Sequence, residues 1–76
     1  MPAKVRSQST LRRLLGLAER EMTEAGADRD RLVERLAAGT TGHAALAEAA
    51  HALADAEQRV ADAEERWLAL AEELGV

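Results

Sequence analysis

The sequence predicts an all-α fold, an antiparallel two-helix coiled-coil hairpin, and three observations support this prediction. Apolar residues recur at alternating intervals of three and four between residues 46 and 74 of the 76-residue chain. A second run with the same spacing lies between residues 11 and 36. The segment Gly39-Thr40-Thr41-Gly42, whose composition is typical of turns, separates the two runs. Such spacing marks the a and d positions of a heptad repeat, where helices pack together.

The first helix is predicted at about residues 8–38, after a flexible lead-in at residues 1–6. Ser7 or Ser9 is suited to cap this helix, because a serine hydroxyl accepts a hydrogen bond from a free N–H group of the first turn. Its apolar run consists of Leu11, Leu15, Ala18, Met22, Ala25, Arg29, Leu32 and Leu36, in which only Arg29 is not apolar.

The loop is predicted at residues 39–42, where Gly39 is suited to end the first helix in a left-handed conformation. Thr40 or Thr41 is expected to cap the second helix, at about residues 43–74, which ends before Gly75. The apolar run of this helix consists of Leu46, Ala49, Leu53, Ala56, Val60, Ala63, Trp67, Leu70 and Leu74.

A loop this short makes the two helices antiparallel neighbours, so residues 7–76 form one hairpin domain. Counting outward from the loop, we expect Leu15 near Trp67 and an ion pair between Glu21 and Arg59. Arg29 interrupts the first apolar run at an a position. Its aliphatic part is expected to pack on Leu53 while the guanidinium reaches water; alternatively, a polar residue at this position controls the register of the helices.

Composition and motifs exclude several kinds of site. The chain has no cysteine, which excludes a disulfide framework and a thiolate metal site. His43 and His51 are eight residues apart rather than the four that a helical zinc pair requires, so no metal or cofactor is expected. No glycine-rich phosphate loop is present, and the carboxylates fall on solvated helix faces, so the chain is not expected to be an enzyme. No apolar run is long enough to cross a bilayer, and we expect a cytoplasmic protein without a membrane partner.

Charge is distributed unevenly although the net charge is only −4. Residues 1–35 contain eight Lys or Arg and six Asp or Glu, whereas residues 36–76 contain two and eight. The first thirteen residues contain no acid and four basic residues, Lys4, Arg6, Arg12 and Arg13. These four residues are the candidate contacts to a polyanion such as nucleic acid. Alternatively, they only offset the acidic end of the neighbouring helix.

Four larger apolar residues gather near the open end of the predicted hairpin. Leu14, Leu17 and Leu68 lie off the apolar runs, near Trp67. Trp67 is expected to cover the open end, so that its replacement by alanine costs about 3 kcal/mol of stability. The same four residues are the candidate surface for docking a partner protein or for a homodimer.

The segment Ala63-Glu64-Glu65-Arg66-Trp67-Leu68-Ala69-Leu70-Ala71-Glu72-Glu73-Leu74 resembles the end of the C-terminal coiled-coil domain of ABC-F ATPases of the Uup-like group. Residues 9–13 (STLRR) and 37–43 (AAGTTGH) are similar to actinobacterial members. The resemblance covers residues 7–76. Where many members have a lysine-rich linker and a tyrosine, this chain has Lys4-Val5-Arg6-Ser7-Gln8.

The resemblance implies a parent chain with two ATPase domains and an appended hairpin that binds DNA or contributes to ribosome engagement. We therefore expect a non-catalytic accessory domain that binds DNA or ribosomal RNA weakly, with little sequence preference. The alternatives are a protein-interaction or dimerisation module at the apolar open end and a purely structural spacer. Sensitivity to salt separates phosphate binding from apolar docking.

Overall fold

The computed structural model describes residues 6–39 and 42–75 of the chain. Within these residues there are two α-helices and no strand: α1 is Gln8–Ala37 and α2 is His43–Leu74. The helices are packed along their lengths into a hairpin that measures 57 × 22 × 14 Å along its principal axes. The predicted all-α helical hairpin is confirmed. Of the predicted lead-in, only Arg6 is among the described residues.

Serine and glycine determine where α1 begins and ends. The Ser7 hydroxyl accepts a hydrogen bond from the N–H group of Thr10 at 3.2 Å, which caps the first turn. At the other end, the N–H groups of Ala38 and Gly39 donate to the carbonyls of Glu34 and Leu36. Gly39 has a φ of 93°, the left-handed conformation that glycine adopts most easily after a helix.

The second helix begins at His43, directly after the second glycine of the loop. The N-cap residue is Gly42, with a φ of 86°, and no side chain caps the first turn among the described residues. Thr40 and Thr41, which were the expected caps, lie outside the described residues. The prediction that one of these threonines caps α2 therefore stays a prediction. The helix ends at Gly75, which has a φ of 81°.

Alanine occupies most of the buried positions between the helices. The buried d positions are Leu11, Ala18 and Ala25 in α1 and Ala49, Ala56, Ala63 and Leu70 in α2. Because an alanine methyl group is small, the two backbones can approach closely along this line. The larger side chains at the a positions are consequently only half-buried: Leu15, Met22, Leu36, Leu53, Val60, Trp67 and Leu74.

Ion pairs join the helices along one long face of the hairpin. The Arg59 Nη1 atom donates to the Asp28 Oδ2 atom at 3.1 Å, and Arg66 donates to Glu21. We call this side, marked by these two pairs, the ion-pair face. All four residues occupy g positions of the heptads, so the e positions lie on the opposite side of the hairpin.

The prediction that Glu21 pairs with Arg59 is therefore wrong, because the observed partner, Arg66, lies one heptad further along α2. Each side chain of an α-helix leans toward the N-terminus of its own helix. In this antiparallel hairpin, side chains of α1 therefore lean away from the loop and side chains of α2 lean toward it. A side chain of α1 thus meets a residue of α2 that lies further from the loop than counting along the backbones predicts. Glu21 accordingly reaches Arg66 rather than Arg59.

We expect Ala56→Leu to lower the free energy of unfolding by about 1–3 kcal/mol, because Ala56 is fully buried and a larger side chain must push the helices apart. Urea unfolding followed by circular dichroism at low micromolar protein measures the effect. Ala69→Leu, at an exposed position of the same helix, is the control and should change stability by less than about 0.5 kcal/mol. Equal stability of the two variants would contradict close packing at the d positions.

Candidate nucleic-acid interface

Most arginines of the described chain are neutralised by nearby carboxylates. The pairs on the ion-pair face hold Arg59 and Arg66, and Arg6 Nη2 lies 2.5 Å from Glu73 Oε2. Within α1, Arg31 pairs with Asp28, which therefore contacts two arginines. All of these groups are substantially exposed, so each pair contributes at most about 1 kcal/mol. Their main effect is to cancel positive charge along this side of the hairpin.

Three arginines in the first half of α1 differ from this group. Arg12, Arg13 and Arg20 are exposed, and none has an acidic partner within 4 Å among the described residues. Arg13 and Arg20 are seven residues apart, so they project from the same outward side of the helix. Arg12 lies directly beside them. We call these three residues the basic edge.

The basic edge begins one turn after the start of α1. Because the Ser7 cap starts the helix at Gln8, Arg12 and Arg13 project from its second turn. The first turn of α1 carries no acidic residue, so the partial positive charge of the helix N-terminus is not cancelled there. This partial charge acts within the first turn, so the attraction of the basic edge for an anion rests on its three guanidinium groups.

Glu19 and Glu21 flank Arg20 in the sequence, and both carboxylates are engaged elsewhere: Glu21 accepts from Arg66, and Glu19 from Trp67. The indole Nε1 atom of Trp67 donates a hydrogen bond to Glu19 Oε1 at 3.0 Å. This contact holds the carboxylate against α2. Arg20 is thus left without an ion pair within the described chain, although both of its neighbours in the sequence are acidic.

The residues predicted to contact nucleic acid do not all lie on one surface. Arg12 and Arg13 belong to the basic edge, whereas Arg6 turns toward Glu73 on α2. Lys4 lies outside the described residues. Sequence reasoning missed Arg20, although its heptad spacing from Arg13 was a signal that could have found it. Arg35 also lacks an acidic partner within the described residues, but it lies near the loop, far along α1 from Arg20.

The four apolar residues predicted at the open end do not form one surface. Leu14 and Leu17 line a shallow open depression between the helices, whose rim carries Arg6, Glu21, Arg66 and Glu73. Trp67 packs against the small core cluster of Leu11, Ala18 and Leu70, which Leu14, Leu15 and Leu74 also contact, so Leu14 is common to both groups. Leu68 is 63% exposed and belongs to neither group. The expected proximity of Leu15 and Trp67 is found in this cluster.

The interruption of the first apolar run is accommodated locally. Arg29 donates from Nε to Asp30 Oδ1 at 3.2 Å, and its side chain is 40% exposed. Its Nη2 atom lies 3.8 Å from the point where a Cβ atom on Gly26 would stand, so the guanidinium bends back over the glycine. The charged group therefore reaches solvent, while control of the register remains a hypothesis.

The described residues offer no other chemical site. His43 is the first residue of α2 and His51 is exposed, and no group of three metal-ligating side chains is found in residues 6–39 and 42–75. Neither of the two described helices is long and apolar enough to cross a membrane.

Comparison of the chain with family models, with curated proteins and with solved structures gave no match.

We expect Trp67→Ala to destabilise the hairpin by about 2 kcal/mol. The loss is smaller than the 3 kcal/mol expected for a fully buried tryptophan, because the side chain is only half-buried. Trp67→Phe keeps an aromatic ring but loses the hydrogen bond to Glu19 and part of the apolar contact, which should cost about 1 kcal/mol. Denaturant unfolding of both variants measures these costs. A loss below about 0.5 kcal/mol for Trp67→Ala would mean that the indole contributes little to the core.

Proposed function

We propose that this chain is a non-catalytic accessory domain of a cytoplasmic ABC-F ATPase and that it binds DNA or ribosomal RNA weakly. The observation that carries the nucleic-acid part is the basic edge: Arg12, Arg13 and Arg20 are exposed and lack carboxylate partners among the described residues. Unpaired guanidinium groups bind phosphate oxygens through two parallel hydrogen bonds, which suits this surface to a phosphate backbone.

Several features make the proposed binding weak and insensitive to sequence. The chain carries a net charge of −4, and the acidic half, residues 36–76, repels phosphate. The only aromatic residue of the chain is Trp67, whose indole N–H is engaged by Glu19, so no aromatic platform for stacking bases adjoins the basic edge. Affinity in the micromolar range or poorer is expected at physiological salt, as for other non-specific complexes.

The assignment to an ABC-F ATPase rests on the resemblance of residues 63–74 and of the shorter segments around residues 9–13 and 37–43. It predicts two ATP-binding domains upstream of this segment in one reading frame. Sequencing the surrounding gene tests that prediction directly. An isolated reading frame without such domains would contradict the assignment, while leaving the proposal about the basic edge unaffected.

A protein-docking function is the second candidate, because Leu17 is 42% exposed in an open depression between the helices. Docking of an apolar partner segment there depends little on salt. Phosphate binding, in contrast, weakens steeply as salt rises, because bound counterions are released from the nucleic acid.

We expect the affinity for duplex or branched DNA, or for a ribosomal RNA fragment, to fall as salt concentration rises. A plot of the logarithm of the association constant against the logarithm of the salt concentration should have a slope between about −3 and −5, as three to five phosphate contacts require. Replacing Lys4, Arg6, Arg12 and Arg13 together by glutamine should abolish binding. Arg20→Gln alone should weaken binding by about threefold to tenfold, since one phosphate contact is lost. Fluorescence anisotropy of labelled nucleic acid measures each affinity.

Arg59→Gln combined with Arg66→Gln is the control, because both arginines are already paired with carboxylates of α1. This double variant should bind within about twofold of the unmodified chain. Absence of binding at low salt, or binding that survives the fourfold replacement, would reject nucleic acid as the partner.

We expect Glu73→Gln to strengthen nucleic-acid binding by about twofold to fivefold, because it releases Arg6 from its ion pair. Glu72→Gln is a matched control: it removes the same charge from the adjacent exposed residue, which has no ion pair within the described chain. The same anisotropy titration compares them. Equal gains from the two variants would show that only the net charge matters and that Arg6 takes no part.

A further inference from the structure

The two halves of the hairpin differ in how many side chains they bury. We call residues 8–25 of α1 and 60–74 of α2 the open half, and residues 26–37 and 43–59 the loop half. The buried residues of the open half are Leu11, Ala18, Ala25, Ala63, Leu70 and Ala71. Those of the loop half are Ala49 and Ala56. Within the described part of α1, no side chain beyond Ala25 is therefore buried.

The larger apolar side chains are distributed in the same way. The core cluster around Leu11 and Leu70, including Trp67, lies entirely in the open half. In the loop half, Val33 and Leu46 are each 48% exposed. The other leucines of the loop half are only half-buried: Leu32, Leu36 and Leu53. The open half therefore holds most of the apolar contact that stabilises the hairpin.

Polar contacts between the helices are also concentrated near the open end. Three side-chain pairs join the two arms of the hairpin there: Arg66 with Glu21, Arg6 with Glu73, and Trp67 with Glu19. In the loop half, the structure records one such pair among the described residues, Arg59 with Asp28, and it lies beside the boundary with the open half. The rest of the loop half is held by its thin apolar contact line alone.

Two residues lower the stability of α1 where the loop half begins. Arg29 occupies an a position, and its guanidinium donates to Asp30 of the same helix rather than to α2. A polar residue at an a position costs stability, because it replaces an apolar contact. Gly26 is a glycine in the interior of a helix, which favours unfolding relative to alanine. A Cβ atom at this position would meet only Arg29 Nη2, at 3.8 Å, so close packing does not require the glycine.

The short connection between the helices opposes opening of the loop half, but its effect is smaller than the difference in burial. With the loop half open, the paired segments are joined by residues 26–59 instead of residues 38–42. Closing this longer loop disfavours opening roughly 20-fold. Burial of one leucine side chain favours the packed state by roughly 10-fold to 100-fold. Among the described residues, the open half buries two leucines and the loop half buries none.

We propose that this hairpin opens first at its loop half, while the open half stays packed and holds the two arms together. This order is the reverse of ordinary fraying, which starts at the free ends of a chain. The partly open state uncovers the half-buried leucines Leu32, Leu36 and Leu53 near the loop. Arg13 and Arg20 lie in the open half and keep their helical positions, so the proposal does not depend on nucleic-acid binding.

Amide hydrogen exchange of the full chain, followed residue by residue by NMR, tests the proposal. Gly16→Ala and Gly26→Ala are a matched pair of variants, because each replaces a glycine inside α1 where a Cβ atom has room. Gly16 lies in the open half and Gly26 in the loop half. Each substitution should stabilise the half that contains it by about fivefold, and neither should prevent folding.

We expect amides of residues 30–37 to exchange at least tenfold faster than those of residues 15–25, after correction for intrinsic rates. Gly16→Ala should slow exchange about fivefold at residues 15–25 and change it less than twofold at residues 30–37, because the open half stays folded when the loop half opens. Gly26→Ala should slow exchange about fivefold at both segments.

Three results would overturn the proposal. Equal protection of the two segments would mean that the hairpin opens as one unit, and faster exchange at residues 15–25 would mean that it frays from the open end. Exchange at residues 30–37 that Gly26→Ala leaves unchanged would mean that only the last turns of α1 fray.

Discussion

The small size of alanine at the d positions is the constraint on which the other features of this hairpin depend. Ala18 and Ala25 in α1 and Ala56 and Ala63 in α2 are buried, and nothing larger fits there while the backbones remain close. Close backbones leave no interior space for the larger side chains of the a positions. Those side chains must lie to one side of the contact line, where they are half-covered. The hairpin therefore has a thin interior and two different long faces.

The difference between the two faces organises the charge of the molecule. Carboxylates of α1 and arginines of α2 at the g positions are close enough to pair across the narrow contact line, as Asp28 and Arg59 do at 3.1 Å. Arg59 and Arg66, the two arginines of α2, are neutralised in this way. Arg13 and Arg20 are spared because their f positions point away from the other helix, out of reach of its carboxylates. The heptad position of an arginine therefore decides whether it is paired across the hairpin or left exposed.

The heptad spacing and the glycines were sufficient to predict the fold, because both signals act locally. An interval of three and four residues specifies a helical stripe, and Gly39 specifies a conformation that ends a helix. The pairing of Glu21 with Arg66 could not be obtained by counting residues, since it depends on the direction in which side chains lean. The difference in burial between the d positions, which are mostly buried, and the a positions, which are mostly half-buried, was likewise not predicted. The spacing of apolar residues alone does not distinguish the two positions.

The candidate site was less predictable than the fold. Lack of acids in the first thirteen residues pointed to Arg12 and Arg13, but whether an arginine is free depends on partners distant in the sequence. Arg6 illustrates this, since its partner Glu73 is 67 residues away. Similarly, Leu14, Leu17, Trp67 and Leu68 are near one another along the axis, yet they fall on different sides of it. The position of a residue along the hairpin axis is easier to predict from the sequence than the face of the hairpin on which its side chain lies.

Trp67 has a spectroscopic consequence, because it is the only aromatic residue in the chain. All intrinsic fluorescence of the protein comes from one indole at the open end, in contact with the Glu19 carboxylate. Emission therefore reports the environment of that end alone, while far-ultraviolet ellipticity averages over both helices. The start of α2 at His43 and the glycine at position 26 are both distant from the indole along the hairpin, so changes there do not alter its emission. If the rod frays from the loop, ellipticity will decline before the emission maximum moves, and the lag between the two signals will measure how cooperatively the two ends melt.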